Sequence, residues 1–450
     1  IAIGYQAGKP ITSGVRNVIV GDEAGIAMTT GGTNTIVGTE AGKAITTTGD
    51  NTIVGNEAGK LTTTTLTAFG AFAGQDHVDG YNNTLIGRYA GRDITNGHSN
   101  TVLGHASLQT ATTAVTNTAL GMHAMRLTTT GSDNVAVGHE ALDKNTTGGN
   151  NTAVGKSALI ANTTASFNTA VGDKAMQTNT TGTNNTAIGH QALNKNTTGG
   201  LNTGLGLNAL YNNTTGTVNT AVGHSALKAN NTGGYNVAIG HESMLANTTG
   251  ITNTALGNNA LRGNTTASQN VGIGTNALYT NTTGANNTAV GHNSLDANTT
   301  GAGNVAVGKS SLDDNTTGAE NVAVGENSLA NNTTAGSNTA VGRGSMFTNT
   351  TGDSNTAIGF DALYANTTGT LNTAVGRSAL AANTTATGNT AVGREALTAN
   401  TTGTSNTSVG TSSLMSNTTG TLNTAVGISA LKDATTAEYN VAVGKEAGAN

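Results

Sequence analysis

The sequence predicts an all-β chain, a β-solenoid or β-roll of 27 coils wound on a 17-residue period. Three observations carry that prediction. First, a glycine recurs at Gly4, Gly21, Gly38, Gly55 and Gly70, then at every seventeenth position to Gly444, and only the step from Gly55 to Gly70 is short. Second, each such glycine closes a short stretch rich in β-branched residues, which favours strand over helix, and no 3.6-residue stripe runs through the unit. Third, with 64 Gly, no Trp and 3% aromatic residues the chain cannot build a thick core, so apolar burial must be spread along a line. A disordered chain has no reason to keep such a beat.

Numbered from its first Asn, the unit Asn185–Leu201 reads NTAIGHQALNKNTTGGL. Position two is Thr, Val or Ile and position four is always apolar, as in Thr186 and Ile188. A strand sends both to one side, and we expect that side to be the core. Gly189, at the invariant fifth position, implies a positive φ or a close backbone approach. Positions six and seven are polar and variable, a solvated turn. Position eight is Ala or Ser, and position nine is Leu or Met from Leu108 to Leu431, so Leu193 opens a second short strand and supplies a third inward side chain. Asn196-Thr197-Thr198-Gly199 closes the unit as a turn. Coils stacked at about 4.8 Å give a rod of roughly 130 Å, with Asn185 and Asn196 each in an axial amide ladder. Every Asn-Thr-Thr also matches a glycosylation sequon, but a ladder leaves no room for a glycan, so the matches read as structural.

Along the chain, residues 1–107 form a variant class with Gly at position nine, and 108–450 carry the regular pattern. The beat runs across the change, so both classes should share one axis. The shortened unit before Gly70, with Leu66 in place of Asn, is the expected irregularity. The chain starts and stops in mid-unit, at Ile1 and Asn450, which points to a section of a longer protein with caps or end domains outside it.

The string NTAVGxxALxxNTTGxx resembles the repeats of tail-fibre-type proteins of phages and bacteria, many of which end in an intramolecular chaperone domain of the endosialidase type. Units with Val at position two, Asn134–Gly138 and Asn321–Gly325, are similar to head repeats of trimeric autotransporter adhesins. Those heads are left-handed parallel β-rolls wound as homotrimers. The resemblance covers nearly the whole chain, although the period here is longer than that of the usual adhesin head unit. It implies a structural shaft on a virion tail or cell surface, outside the cell, that presents a receptor-contacting surface.

The residues independently favour association. Three modest inward side chains per coil offset little of the entropy of ordering a whole unit, so a lone chain would be marginal. Small residues at positions three and eight, Ala187 and Ala192, would let a second chain approach closely. A parallel homotrimer follows, with a single-chain solenoid forming an extracellular filament as the alternative.

Chemistry is sparse. Net charge is −5 with no basic stripe, which disfavours nucleic acid; no apolar run reaches the ~20 residues of a membrane span; and there is no Cys. Six His occupy position six, and His224 and His241 in adjacent coils stand near enough to share a metal. The same turn position also takes Lys156, Asp173 and Arg343, so we read it as solvated and expect no metal or cofactor. No carboxylate pair breaks the repeat, and no catalytic residue is assigned. Tyr211, Tyr279 and Phe347 recur at position ten in every fourth unit, with Tyr364 in the coil after Phe347. These aromatics are candidates for contact with a host receptor or glycan, or for packing between chains. An ice-binding solenoid is a further alternative, raised by Thr at positions thirteen and fourteen, although adjacent Thr should give only one outward ladder.

Overall fold

Asparagine at position one decides which way each strand faces. In the computed structural model, which describes residues 1–449, Asn185 is fully buried and its side chain bonds along the axis in both directions. Its Nδ2 donates to Asn168 Oδ1 at 3.2 Å and to the Gly199 carbonyl at 2.9 Å. Its own Oδ1 accepts from the Asn202 N–H at 2.9 Å. With position one inside, strand alternation sends position three inward and positions two and four outward.

This reverses the expectation that positions two and four form the core. Ala187 is fully buried, Thr186 is half-buried, and Ile188 is 39% exposed. The physical reason is parity: an amide that must be satisfied inside outranks a β-branched residue that merely prefers to be. Thr186 therefore needs no buried partner for its hydroxyl. Ala187 and Ala192, both fully buried, face the coil interior and offer no approach to a second chain.

The chain divides into two compact halves, Ile1–His224 and Ser225–Asn450, the last residue lying outside the described ones. The first half carries fourteen strands, from β1 (Ala2–Ile3) to β14 (Thr220–Val222); the second carries thirteen, from β15 (Val237–Ile239) to β27 (Val441–Val443). Within each half, successive strands pair in parallel one period apart: Thr186↔Thr203 and Ile188↔Leu205 in the first, Thr356↔Thr373 and Ile358↔Val375 in the second. Both halves are thus parallel β-solenoids, with no helix among the described residues. Pairing also runs unbroken through the change of sequence class, Thr84↔Thr101↔Thr118.

Each coil has one strand, not two. Positions six to eleven wind through turns, because left-handed residues at positions seven and nine (Gln191, φ 57°; Leu193, φ 51°) cannot extend. The segment still bonds coil to coil: the Leu193 N–H donates to the Ala209 carbonyl and the Lys195 N–H to the Tyr211 carbonyl, both at 2.9 Å. Leu193 itself is fully buried, as expected. Gly189 needs its identity twice over: its φ is 131°, and a Cβ there would fall only 2.6 Å from the Gly206 carbonyl oxygen. The second ladder forms too, Asn196 Nδ2 donating to Asn179 Oδ1 at 2.7 Å and to the Gly199 carbonyl at 2.8 Å. Asn196 is fully buried, which excludes a glycan from it in the folded coil.

The two sequence classes fill the same narrow interior differently. Early coils place a large residue at position three (Ile36) and at position twelve (Ile45), both fully buried, with Gly42 at position nine. Regular coils reduce position three to Ala, fill position nine with Leu and turn position twelve into the second Asn ladder from Asn145 onward, where Asn162 Nδ2 donates to Asn145 Oδ1 at 2.8 Å. The shortened coil absorbs its deletion in the closing turn and keeps register, Thr52↔Thr67. Leu66, which opens the next coil, is buried in the Asn position, and its N–H still donates to Asn51 Oδ1 at 2.7 Å.

Candidate functional site

The parity that buries position three leaves a continuous outward strand face in each half. Thr at position two stands beside Val, Ile or Leu at position four, with Ile188, Leu205 (43%) and Leu256 (45%) among the exposed aliphatics. Position seventeen adds further exposed apolar residues, Phe167, Leu201 and Leu371. Strand pairing fixes the spacing of this array at about 4.8 Å along the axis and about 7 Å between positions two and four. By contrast, the Thr197 hydroxyl at position thirteen is spent along the axis, donating to the Thr214 carbonyl at 3.0 Å, and Thr198 alone of that pair is exposed. The closing turn therefore presents one outward Thr column, as expected from the sequence.

A second surface is built by positions seven and ten, which form adjoining columns. Where position seven is Glu and position ten Lys, the columns knit together: Lys43 Nζ lies 2.6 Å from Glu23 and 2.9 Å from Glu40, and Lys60 Nζ 2.5 Å from Glu40 and 3.0 Å from Glu57. The Glu40 carboxyl is held down to about 2, chiefly by its hydrogen bond to Lys60 and then by that to Lys43. The position-ten aromatics sit in these columns. Tyr211 is faced by Lys195 Nζ at 5.2 Å and Tyr279 by the Arg262 guanidinium at 5.6 Å. Phe347 and Tyr364 stack on each other in adjacent coils, ring centroids 5.3 Å apart and planes within 10°. The four candidate contact residues thus form no single patch; only Phe347 and Tyr364 are brought together.

Around that stack lies a cleft of about 270 Å³, which the sequence reading missed. Its lining adds Phe360, Arg343, Asn327, Gly344 and Asp361 to Phe347 and Tyr364. The signal was legible: among 27 units, Gly344 is the sole glycine at position seven. Neighbouring residues at that position adopt the same backbone (Asn327, φ 56°; Asp361, φ 52°), so conformation does not demand glycine there. Space does: a Cβ on Gly344 would fall 2.5 Å from Asp361 Oδ1 and 3.7 Å from Tyr364 Cδ2. Arg343 and Arg377 flank the Phe360 ring at 5.8 and 6.0 Å, and Arg343 Nε lies 3.6 Å from Glu326 Oε2.

The position-six histidines sit in the turn the sequence predicted. His105, His190, His224, His241 and His292 are exposed and His139 is half-buried. In the first half, rings of successive coils form a column, Tyr89 to His105 at 6.1 Å, His105 to His123 at 5.7 Å and His123 to His139 at 6.4 Å. Two carboxylates are also brought together. Asp296 and Asp313 share position ten of adjacent coils, and the Asp296 carboxyl is pushed up to about 6, first by burial and then by Asp313, with His292 opposing. They lie outside the cleft just described.

Comparison of the chain with protein-family models returns no match, and comparison with curated proteins finds no relative at a significant level. The functional reading therefore rests on geometry.

Proposed function

We propose that this chain is a non-catalytic structural section of an extracellular fibre, a shaft of the tail-fibre or surface-adhesin kind that self-associates as a parallel homotrimer and presents contact residues to a host surface. One observation carries the reading: the outward strand face. A row of apolar residues at position four, repeated every coil and bordered by Thr, is the kind of contiguous exposed strip that marks an interaction surface. A repeated row is self-complementary to a parallel copy of itself, since every coil meets an equivalent coil at the same axial spacing. Position four, and not the buried Ala187 and Ala192, is then the contact between chains.

Light scattering in native buffer tests this. Three chain masses are expected, falling toward one when Leu205→Glu and Leu256→Glu place charges in the apolar row of each half. One chain mass for the unaltered protein sinks the homotrimer and leaves the single-chain filament.

The same face supports a second reading, ice binding. Thr at two and an aliphatic at four give two parallel outward rows at a fixed axial spacing, the regularity that a lattice of ordered water requires. Thermal hysteresis from a chain that stays single in solution would favour it over the fibre.

A further inference from the structure

We infer that the cleft around Gly344 is a carbohydrate site that takes one uncharged pyranoside ring against the Phe347–Tyr364 wall. The inference gives a place and a ligand class to the contact surface of the proposed fibre, and it rests on that reading.

The cleft is a departure from the repeat, which sets it apart from the other axial columns. Elsewhere a side chain at position seven covers the adjoining position-ten column, as Glu40 does for Lys43. Gly344 removes that cover in one coil. Three of the chain's thirteen Phe and Tyr residues, Phe347, Phe360 and Tyr364, crowd around it in two adjacent coils. The result is an apolar wall on one side and, on the others, the polar groups of Arg343, Asn327 and Asp361.

That combination suits a sugar. A pyranose has an apolar C–H face, which aromatic side chains accept, and a rim of hydroxyls that both donate and accept. Asp361 accepts from hydroxyls, Arg343 donates, and Asn327 does both. Arg343 and Asp361 cancel in charge, as do Glu326 and Arg377 beside them, so the lining selects neither an anion nor a cation. A volume of about 270 Å³ falls just below the ~300–1,000 Å³ of sites for larger ligands, matching a single ring. The site also lies on positions six, seven and ten, away from the outward strand face, so association through that face leaves it open. One exposed ring site of this kind binds weakly, at about millimolar affinity, and gains strength when several copies are presented together.

Saturation-transfer NMR on the full chain tests the inference, with the methyl pyranosides of glucose, galactose and mannose as probes and methyl glucuronide as the anionic comparison. At least one neutral probe is expected to show transfer. Gly344→Asn supplies the residue that Asn327 carries one coil earlier on the same backbone; the added Cβ displaces only the Asp361 carboxylate, the end of a flexible side chain, so the variant should fold, fill the cleft and cut the signal at least fivefold. Tyr364→Ala should do the same, while Tyr5→Ala, an exposed ring outside the cleft, should leave it unchanged. Matching circular dichroism and melting temperature for Gly344→Asn show that the fold is kept. The inference is overturned by no transfer to any neutral pyranoside, by transfer to the glucuronide alone, or by a signal that survives Gly344→Asn. Light scattering on the same samples separates the two claims: transfer to a protein of single-chain mass retains the sugar site and removes the trimer, and the converse removes only the site.

Discussion

Ile36 and Gly42 share one coil interior, and a Cβ added to Gly42 would stand only 3.2 Å from Ile36 Cδ1 and 2.9 Å from Ile45 Cδ1. In regular coils the sizes are exchanged. Leu193 fills the space from position nine, and a Cβ on Gly204, at position three of the next coil, would meet Leu193 Cδ1 at 3.4 Å, an ordinary contact. Where position nine is Gly42 the interior holds large apolar side chains at positions three and twelve, Ile36 and Ile45, and where position nine is Leu193 it does not.

The exchange should therefore be swappable. Ile36→Ala alone is expected to cost about 3 kcal/mol through a cavity, and Gly42→Leu alone about 2 kcal/mol through overpacking. Combined with Ile45→Ala, which clears the Cδ1 that a Cβ on Gly42 would otherwise meet at 2.9 Å, they leave one large side chain at position nine as in regular coils, and Leu at φ near 55° is already tolerated at Leu278. Denaturant titrations should show this combined variant more stable than Gly42→Leu alone; simple additivity would refute the size-compensation account.

This compensation also shows what the sequence could and could not reveal. The period, the strand positions, the turn at Gly189 and both Asn ladders were legible, because each is a position where only one residue type works. The direction of the strand was not, because Thr186 and Ile188 look like core residues until Asn185 is recognised as the side chain that must point inward. The second segment was misread as a strand for a related reason: left-handed backbone at Leu193 leaves no mark on residue type, although Gly in the equivalent early position hinted at it. In the cleft, Phe347 and Tyr364 were legible as aromatics, but Gly344 mattered only once position seven was known to border position ten.

Removing one rung of the first ladder should be felt on both sides. Asn185→Ala leaves the buried Asn202 N–H without its acceptor and removes one of the two donors to the Gly199 carbonyl, Asn196 Nδ2 remaining. A loss of about 3 kcal/mol is expected, with the most rapid amide hydrogen exchange in the two coils that flank residue 185. Protection lost uniformly along the chain would argue against axial ladders acting locally.

The coil that follows the shortened turn should be acid-sensitive. His77 is fully buried at position twelve, where Asn83 Nδ2 donates to its Nε2 at 3.0 Å, leaving Nδ1–H to donate to Thr62 Oγ1 at 2.9 Å. Burial holds its imidazole down at about 4. The unfolded chain takes up this proton from about pH 6.5 and the folded chain only near pH 4, so stability falls as pH drops between them. The loss should total about 3 kcal/mol and level off below about pH 4. His77→Asn, which installs the residue regular coils carry there, should remove this slope; an unchanged slope would place the acid sensitivity elsewhere.

The Asp296–Asp313 pair should titrate as a coupled unit. With its carboxyl raised to about 6, Asp296 stays protonated in the fold above the pH at which the unfolded chain ionises, so the pair lowers stability as pH rises from about 4 to 6. Asp313→Asn should bring the Asp296 midpoint downward in a carboxyl NMR titration without restoring it to that of a free side chain, because burial is the larger cause. A midpoint unmoved by the substitution would show that the two carboxylates do not sense one another.

One sequence repeat makes one coil, and the facing of every later side chain depends on that count. Deleting residues 185–201 removes one whole coil, whereas deleting residues 187–202 leaves one extra residue between Asn185 and Gly206, inside the strand where no closing turn can absorb it, and breaks the inward–outward alternation there. Thermal unfolding followed by circular dichroism should show the first variant melting within a few degrees of the full chain, and the second losing much of its β signal. Equal melting of the two would contradict the solenoid register on which the outward face, the ladders and the cleft all depend.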